Sequence, residues 1–138
     1  MEADFNTALT LFLHANRNIL TDFQKRVIQL VLDADHGPDE AAEALQIISN
    51  QITHLRYIGW QPKSKSGDMV NRPSHYDVFV MEPTFFIVET GGFNWCLENF
   101  FKYICRFPFK NGIEDLRKAM RNLEMFLKYA DGDPEWSR

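Results

Sequence analysis

Between Asn94 and Lys110, apolar and polar residues separate at about 100° per residue, the signature of a helix with one side buried. Cys96, Leu97, Phe100, Phe101, Ile104 and Cys105 fall on one side; Asn99, Lys102, Tyr103 and Arg106 fall on the other. Asn94 is positioned to cap this helix and Pro108 to end it. The apolar side commits the stretch to a helical core. The polar side carries two permanent cations on adjacent turns, with Lys110 just beyond, and so suits a phosphate-bearing ligand. A solvated helix face would show the same pattern.

The rest of the chain reads as further helices. Phe5 to Ile19 has partly helical apolar spacing, and Thr21 followed by Gln24 three residues later is a capping box that opens a second helix running to His36-Gly37. A third, from Pro38 to about Ile58, carries Ala41, Ala44, Leu45, Ile48, Ile52 and Leu55 on one stripe, with Asp39, Glu40 and Glu43 near its positive end. Three such helices in sequence predict an antiparallel bundle over residues 1–60. Gly, Pro, Ser and Lys from Gly59 to Asp68 mark a loop, so residues 61–72 are expected to be a linker. Asn71 to Tyr76 is expected to be extended, and Asp77 to Val80 a short strand. Glu82-Pro83 opens a short helix to Thr90, stopped by Gly91-Gly92. Asn111, three residues before Glu114, is expected to cap a last helix to about Tyr129. The expected fold is all-α. An N-terminal three-helix antiparallel bundle precedes a C-terminal helical domain, residues 73–138, of about three helices with an extended loop or short strand before it.

Composition narrows the function classes. The chain has 138 residues, 45% of them hydrophobic and 14% aromatic, which is ample for a core, and Phe is concentrated after residue 79. The net charge of −4 conceals an asymmetry. Residues 1–60 hold four basic and eight acidic side chains, whereas Lys102 to Lys128 hold seven basic and three acidic ones. A local basic field on an acidic protein favours a small anion over an extended nucleic acid. No apolar run reaches membrane-spanning length and no signal-peptide pattern is present, so a soluble, cytoplasmic protein is expected. Cys96 and Cys105 sit about 13 Å apart along a helix, too far for a disulfide, and read as buried thiols. The four histidines show no metal-ligand spacing.

Any phosphate site must use side chains and helix ends, because no G-x-x-x-x-G-K-[ST] loop exists and Gly91-Gly92 lacks dinucleotide-loop spacing. The turn after the central helix brings Arg106 and Lys110 near the start of the last helix. Free amides at Gly112 to Glu114 are expected there as an anion site, with Asp115 and Lys118 within one turn. Asp115 is a candidate for holding a metal or orienting a hydroxyl; equally, it complements the helix dipole, and Lys118 pairs with Glu114. His75 stands in a non-helical stretch between Ser74 and Tyr76. Either its loop folds over the central helix and brings it to a pocket, or it caps a helix end.

Pro73-Ser74-His75-Tyr76, Glu82-Pro83, the run from Trp95 to Arg106, Lys110, and Glu114 to Ala119 with Leu123 together resemble the SaV-like phage domain family, over roughly residues 71–129. That family includes a podovirus early nucleotide kinase that lacks a P-loop. By motif position the resemblance implies a nucleotide site at Ser74, His75, Tyr76, Asn99, Tyr103, Lys110 and Lys118, with Arg106, Lys102 and Asp115 as catalytic residues. It implies a phage-encoded deoxynucleoside monophosphate kinase using ATP as phosphate donor, with Mg as a companion ion. A deoxynucleotide is the expected partner, in a homo-oligomer in the host cytoplasm. The chain departs from the family at Phe107-Pro108, where an Ala-Gly pair is common, at Glu98, where Gly is usual, and at Asn122, where an aromatic is usual. The alternative expectation is a non-enzymatic phage protein that engages a host enzyme or defence component through residues 1–60. A nucleotide-sequestering or hydrolysing protein is a third.

Overall fold

A computed structural model describes residues 2–63 and 78–138. Among the described residues the fold is all-helical: α1 Glu2–Ala15, α2 Asp22–Leu32, α3 Pro38–Tyr57, α4 Pro83–Glu89, α5 Trp95–Arg106 and α6 Ile113–Ala130. A 3-10 turn, Phe107–Phe109, joins α5 to the approach of α6. None of these helices is long and apolar enough to cross a membrane.

The helix ends follow the chain's own chemistry, and three departures from the sequence expectation lie before α4. The capping box of α2 forms as expected: Thr21 Oγ1 accepts the Gln24 amide at 3.2 Å, and Gln24 Oε1 accepts the Thr21 amide at 2.7 Å. α1, however, stops at Ala15 instead of running to Ile19. Asn16 there turns its side chain onto other backbone: Nδ2 donates to the Met81 carbonyl at 2.9 Å, and Oδ1 accepts the Val80 and Met81 amides at 2.9 and 3.2 Å. Those same bonds explain the second departure. Val78 to Val80, expected to be strand, form a turn and bend, because a side chain and not a neighbouring strand takes their amides. Asp77 lies outside the described residues.

The third departure is at Asp33, which ends α2 four residues before Gly37. Its carboxylate accepts the Asp35 amide at 2.9 Å, the Gln29 carboxamide at 2.9 Å and the Asn6 carboxamide at 3.3 Å. Asn6 Oδ1 in turn accepts the Ala34 amide at 2.9 Å, so α1 and the α2–α3 turn are tied together. The Asp35 amide, outweighing desolvation, holds the Asp33 carboxyl below its ordinary value. Asp33 is therefore the pin of a turn.

α3 closes with Gly59 at φ 67°, where the Trp60 amide donates to the Leu55 carbonyl and the Gly59 amide to Arg56. This Schellman ending swings Trp60 back toward the body of the protein.

The helices share one apolar cluster. It runs from Leu9 and Phe12 on α1, through Val27, Ile28, Ala44 and Ile48, to Phe86, Phe100, Phe101, Ile104, Leu116 and Leu123. α5 lies along α6, and the α2–α3 hairpin rests on that pair, α2 against α5 and α3 against α6. α1 is held by aromatic rings: Phe12 meets Phe101 at 5.0 Å and Phe86 at 5.2 Å, while Phe5 meets Phe93 at 5.5 Å. Residues on both sides of the expected 61–72 linker thus bury their apolar stripes in the same core. Of that linker, residues 64–72 lie outside the described residues.

Candidate functional site

The core side of α5 is as its periodicity implies: Cys96, Phe100, Phe101, Ile104 and Cys105 are buried. Asn94 Oδ1 accepts the Cys96 and Leu97 amides at 2.8 and 3.3 Å and so caps the helix. Both cysteines are free thiols, and burial pushes them up, Cys105 well above its ordinary value. Glu98 accepts the Phe93 amide at 2.6 Å, which steadies the glycine turn leading into the helix.

On the opposite side, Tyr103 is the hub. The Arg106 guanidinium carbon lies 4.8 Å from its ring centroid, Lys102 Nζ 4.9 Å and Lys118 Nζ 5.7 Å. Three cations from two helices therefore gather round one ring. Arg106 is fixed from behind: Nε donates to Asp115 Oδ2 and a terminal nitrogen to Oδ1, each at 3.3 Å. The Asp115 side chain is 0% exposed and that of Arg106 14%. Asp115 Oδ2 also accepts the Asn111 amide at 3.2 Å. Both carboxylate oxygens are engaged, so Asp115 braces the arginine and the turn and has no lone oxygen turned to solvent for a metal or a hydroxyl.

Lys102 is the least balanced of the cations. Desolvation lowers its pKa first, and the charges of Arg106, Lys110 and Lys118 lower it further against the opposing pull of Asp115. Lys118 has a carboxylate partner, Glu114 at 3.4 Å on its own helix, and its side chain is only partly buried. Lys110 is exposed. Asn99 turns back to its own helix, donating to the Trp95 carbonyl at 3.0 Å. Lys102, Tyr103, Arg106, Asp115 and Lys118 are thus assembled as a group, while Ser74, His75 and Tyr76 lie outside the described residues.

The amides at the start of α6 do not form the expected anion site. The Gly112 amide donates to Phe107 O at 2.9 Å and the Glu114 amide to Asn111 O at 3.2 Å, so two of the three donors are engaged within the turn. Nor does the Asn111 side chain cap the helix; the cap position is Gly112 at φ 59°. There a Cβ would lie 3.1 Å from Pro62 and 3.1 Å from Trp60, so only glycine lets the chain after α3 pass this close. Among the described residues no group of three or more His, Cys, Asp or Glu is arranged to hold a metal ion.

Sequence reasoning missed the residues that join the N-terminal helices to this region. Gln24, read as a capping residue, also donates to the Ile104 carbonyl at 2.9 Å and the Cys105 carbonyl at 3.3 Å, and so holds the end of α5 immediately before Arg106. Phe107 packs on Phe23 and Trp60 at centroid distances of 5.8 and 5.6 Å. Those contacts are long-range and leave no periodic trace; the aromatic character of Phe107 and Trp60 was the one available signal. A hollow of about 560 Å3 lies elsewhere, between Phe5, Leu32, Phe93 and Leu97, and none of the clustered cations lines it.

Residues 70–124 match a protein family described as a protein of unknown function (DUF3310). No curated protein and no solved structure matches the chain.

Proposed function

We propose that the α5–α6 face binds the phosphate of a nucleotide, with a deoxynucleoside monophosphate as the favoured ligand class. The observation that carries this reading is the gathering of Lys102, Arg106 and Lys118 around Tyr103, with the Lys102 charge disfavoured first by desolvation and then by Arg106 and Lys110. A dianionic phosphate there relieves the repulsion, and a guanidinium already locked by Asp115 loses little freedom on binding it. The chemistry such a site suits is phosphoryl transfer from ATP, where an oxygen of the monophosphate attacks the γ-phosphorus and ADP leaves. Mg2+ would arrive with ATP as part of the substrate. In that reaction Arg106 and Lys102 neutralise the transferring group, Lys110 and Lys118 attract it, and Asp115 acts by positioning Arg106. The same ligand class is what the resemblance of residues 71–129 to the SaV-like phage domain implies. In this reading the protein works in the cytoplasm, where both nucleotides are found.

The test is thermal melting of the protein with each deoxynucleoside monophosphate, followed by product analysis with ATP. A ligand at 100 times its Kd adds about 2.7 kcal/mol of stability. Lys102→Ala and Lys110→Ala should fold normally and lose most of that shift. Unchanged melting at millimolar nucleotide would overturn the reading, and a shift without ADP and diphosphate products would leave binding without transfer.

A second reading, a non-enzymatic interaction protein, is favoured by apolar side chains left in the open: Val80 is 74% exposed, Phe85 53% and Val88 67%. Phe85 and Val80 line one shallow recess with Ala15. Co-purification of a host protein that is lost in Phe85→Ser/Val88→Ser would favour it.

A further inference from the structure

A second hollow, of about 240 Å3, lies where α2, the end of α3 and the Phe107–Phe109 turn meet. Among the described residues, four aromatic side chains line it: Phe23, Trp60, Phe107 and Phe109. Its volume falls just under the roughly 300–1,000 Å3 of sites that take drug-sized ligands, so it accommodates one ring system and not an extended molecule. None of Lys102, Tyr103, Arg106, Lys110 and Lys118 lines it, so it is separate from the cation face.

The polar groups on its wall are of two kinds. Thr21 and Gln24 are engaged with each other's backbone, and the Gln24 amide nitrogen is committed to α5. Gln51, half-buried on α3 one turn before Leu55, also lines the hollow, and its carboxamide has no hydrogen-bond partner among the described residues. Because Gln51 is only half-buried, its carboxamide donor and acceptor are both open to a partner arriving from solution. Lys63 stands at the same wall, its backbone amide fixed to the Pro108 carbonyl at 2.7 Å and its Nζ 5.9 Å from the Phe109 centroid. The hollow thus offers ring surfaces, one donor-acceptor carboxamide and one cation.

We propose that this hollow is a binding site for a planar heteroaromatic ring of the nucleobase class, with an adenine-type edge as the best match. A carboxamide presents a donor beside an acceptor, and the adenine edge with a ring nitrogen next to an exocyclic amine answers it in two bonds. Aromatic side chains stack any base, whatever its edge, so Gln51 supplies the discrimination and the half-buried rings of Trp60 and Phe109 the affinity. Lys63 favours a ligand that carries an anionic substituent.

The experiment uses the full chain with Trp95→Phe and Trp136→Phe, leaving Trp60 as the one indole whose N–H signal is followed by 15N-resolved NMR. Titration with adenosine, which has no phosphate, should shift the Trp60 signal saturably. Adenosine should bind about tenfold more weakly to Gln51→Leu, the loss expected for a ligand's polar edge left facing a methyl group. Gln51→Leu should melt no lower than its parent, because it removes an unpaired amide; should it fail to fold, Gln51→Glu, which keeps the shape and loses the donor, gives the same comparison. Lys102→Ala should leave adenosine binding unchanged, so that failure of the phosphate reading and failure of this one are told apart. A Trp60 signal that does not move, or equal affinity in parent and Gln51 variants, would overturn the proposal.

Discussion

Arg106 and Asp115 form a two-point ion pair, 3.3 Å at each contact, across the turn between α5 and α6, with the carboxylate entirely buried. The pair joins the two most closely packed helices and at the same time aims the guanidinium along the Tyr103 ring. Stability and ligand recognition therefore meet in one residue. Removing either partner strands the other in a poorly solvated place, which is where ion pairs matter most.

Asp115→Asn should accordingly cost about 3–5 kcal/mol, and Arg106→Ala a similar amount. Urea denaturation would show a lower midpoint with an unchanged slope. Because Arg106→Ala is destabilising in this way, loss of activity in that variant does not by itself assign a chemical role; Arg106→Lys, which keeps the charge and loses the two-point geometry, is the better probe.

Gly112→Ala should destabilise by about 1–3 kcal/mol. The residue sits at φ 59°, and the added carbon would meet Pro62 and Trp60 at 3.1 Å. A melting curve checks this, and a variant as stable as its parent would show that the segment after α3 does not pass this closely over the turn.

Asn16→Leu should loosen the chain entering α4. It deprives the Val80 and Met81 amides and the Met81 carbonyl of their partner, at roughly 1–3 kcal/mol for each group that water does not reach. Hydrogen exchange reports it directly: the Val80 and Met81 amides should lose protection while those in the middle of α5 keep theirs.

Two pH-linked effects follow from the shifted groups. Asp33 is held below its ordinary value of 3.8, chiefly by the Asp35 amide, so its contribution is present above that pH and lost as pH falls through the lower folded-state value. Asp33→Asn should therefore be less stable than its parent at neutral pH, and the gap should close in acid. Lys102 has the opposite relation to folding. Its pKa is lowered from 10.5, first by desolvation and then by Arg106 and Lys110, so its charge opposes the fold below the folded-state value, and stability rises with pH between that value and 10.5. Lys102→Gln should be slightly more stable than its parent at neutral pH. Added salt should raise the parent more than the variant, since it screens the repulsion.

Much of this was legible from local pattern. The apolar face of α5 and the core stripe of α3 follow from spacing alone, because a helix repeats its faces whatever it packs against. The capping box at Thr21 and Gln24, the Asn94 cap and the glycine stops after α3 and α4 are likewise short-range chemistry. What local pattern misjudged were residues whose side chains reach across the fold. Asn16 and Asp33 end helices that periodicity alone would continue, and Gly112 takes the cap position that Asn111 and Glu114 seemed to define.

The candidate site divides along the same line. The sequence by itself determined that Lys102, Tyr103 and Arg106 share a face, since three and four residues make one helical turn. Only the tertiary structure decided what those residues do there. The approach of α6 turned Asp115 from a possible ligand carboxylate into the brace of Arg106, and set Lys118 beside the ring. The docking of α2 and Trp60 on Phe107 made the Phe107-Pro108 departure a packing joint and opened the hollow that Gln51 lines. Periodicity fixes which residues lie side by side on one helix; the neighbour that desolvates or neutralises a charge comes from elsewhere in the chain, and packing selects it.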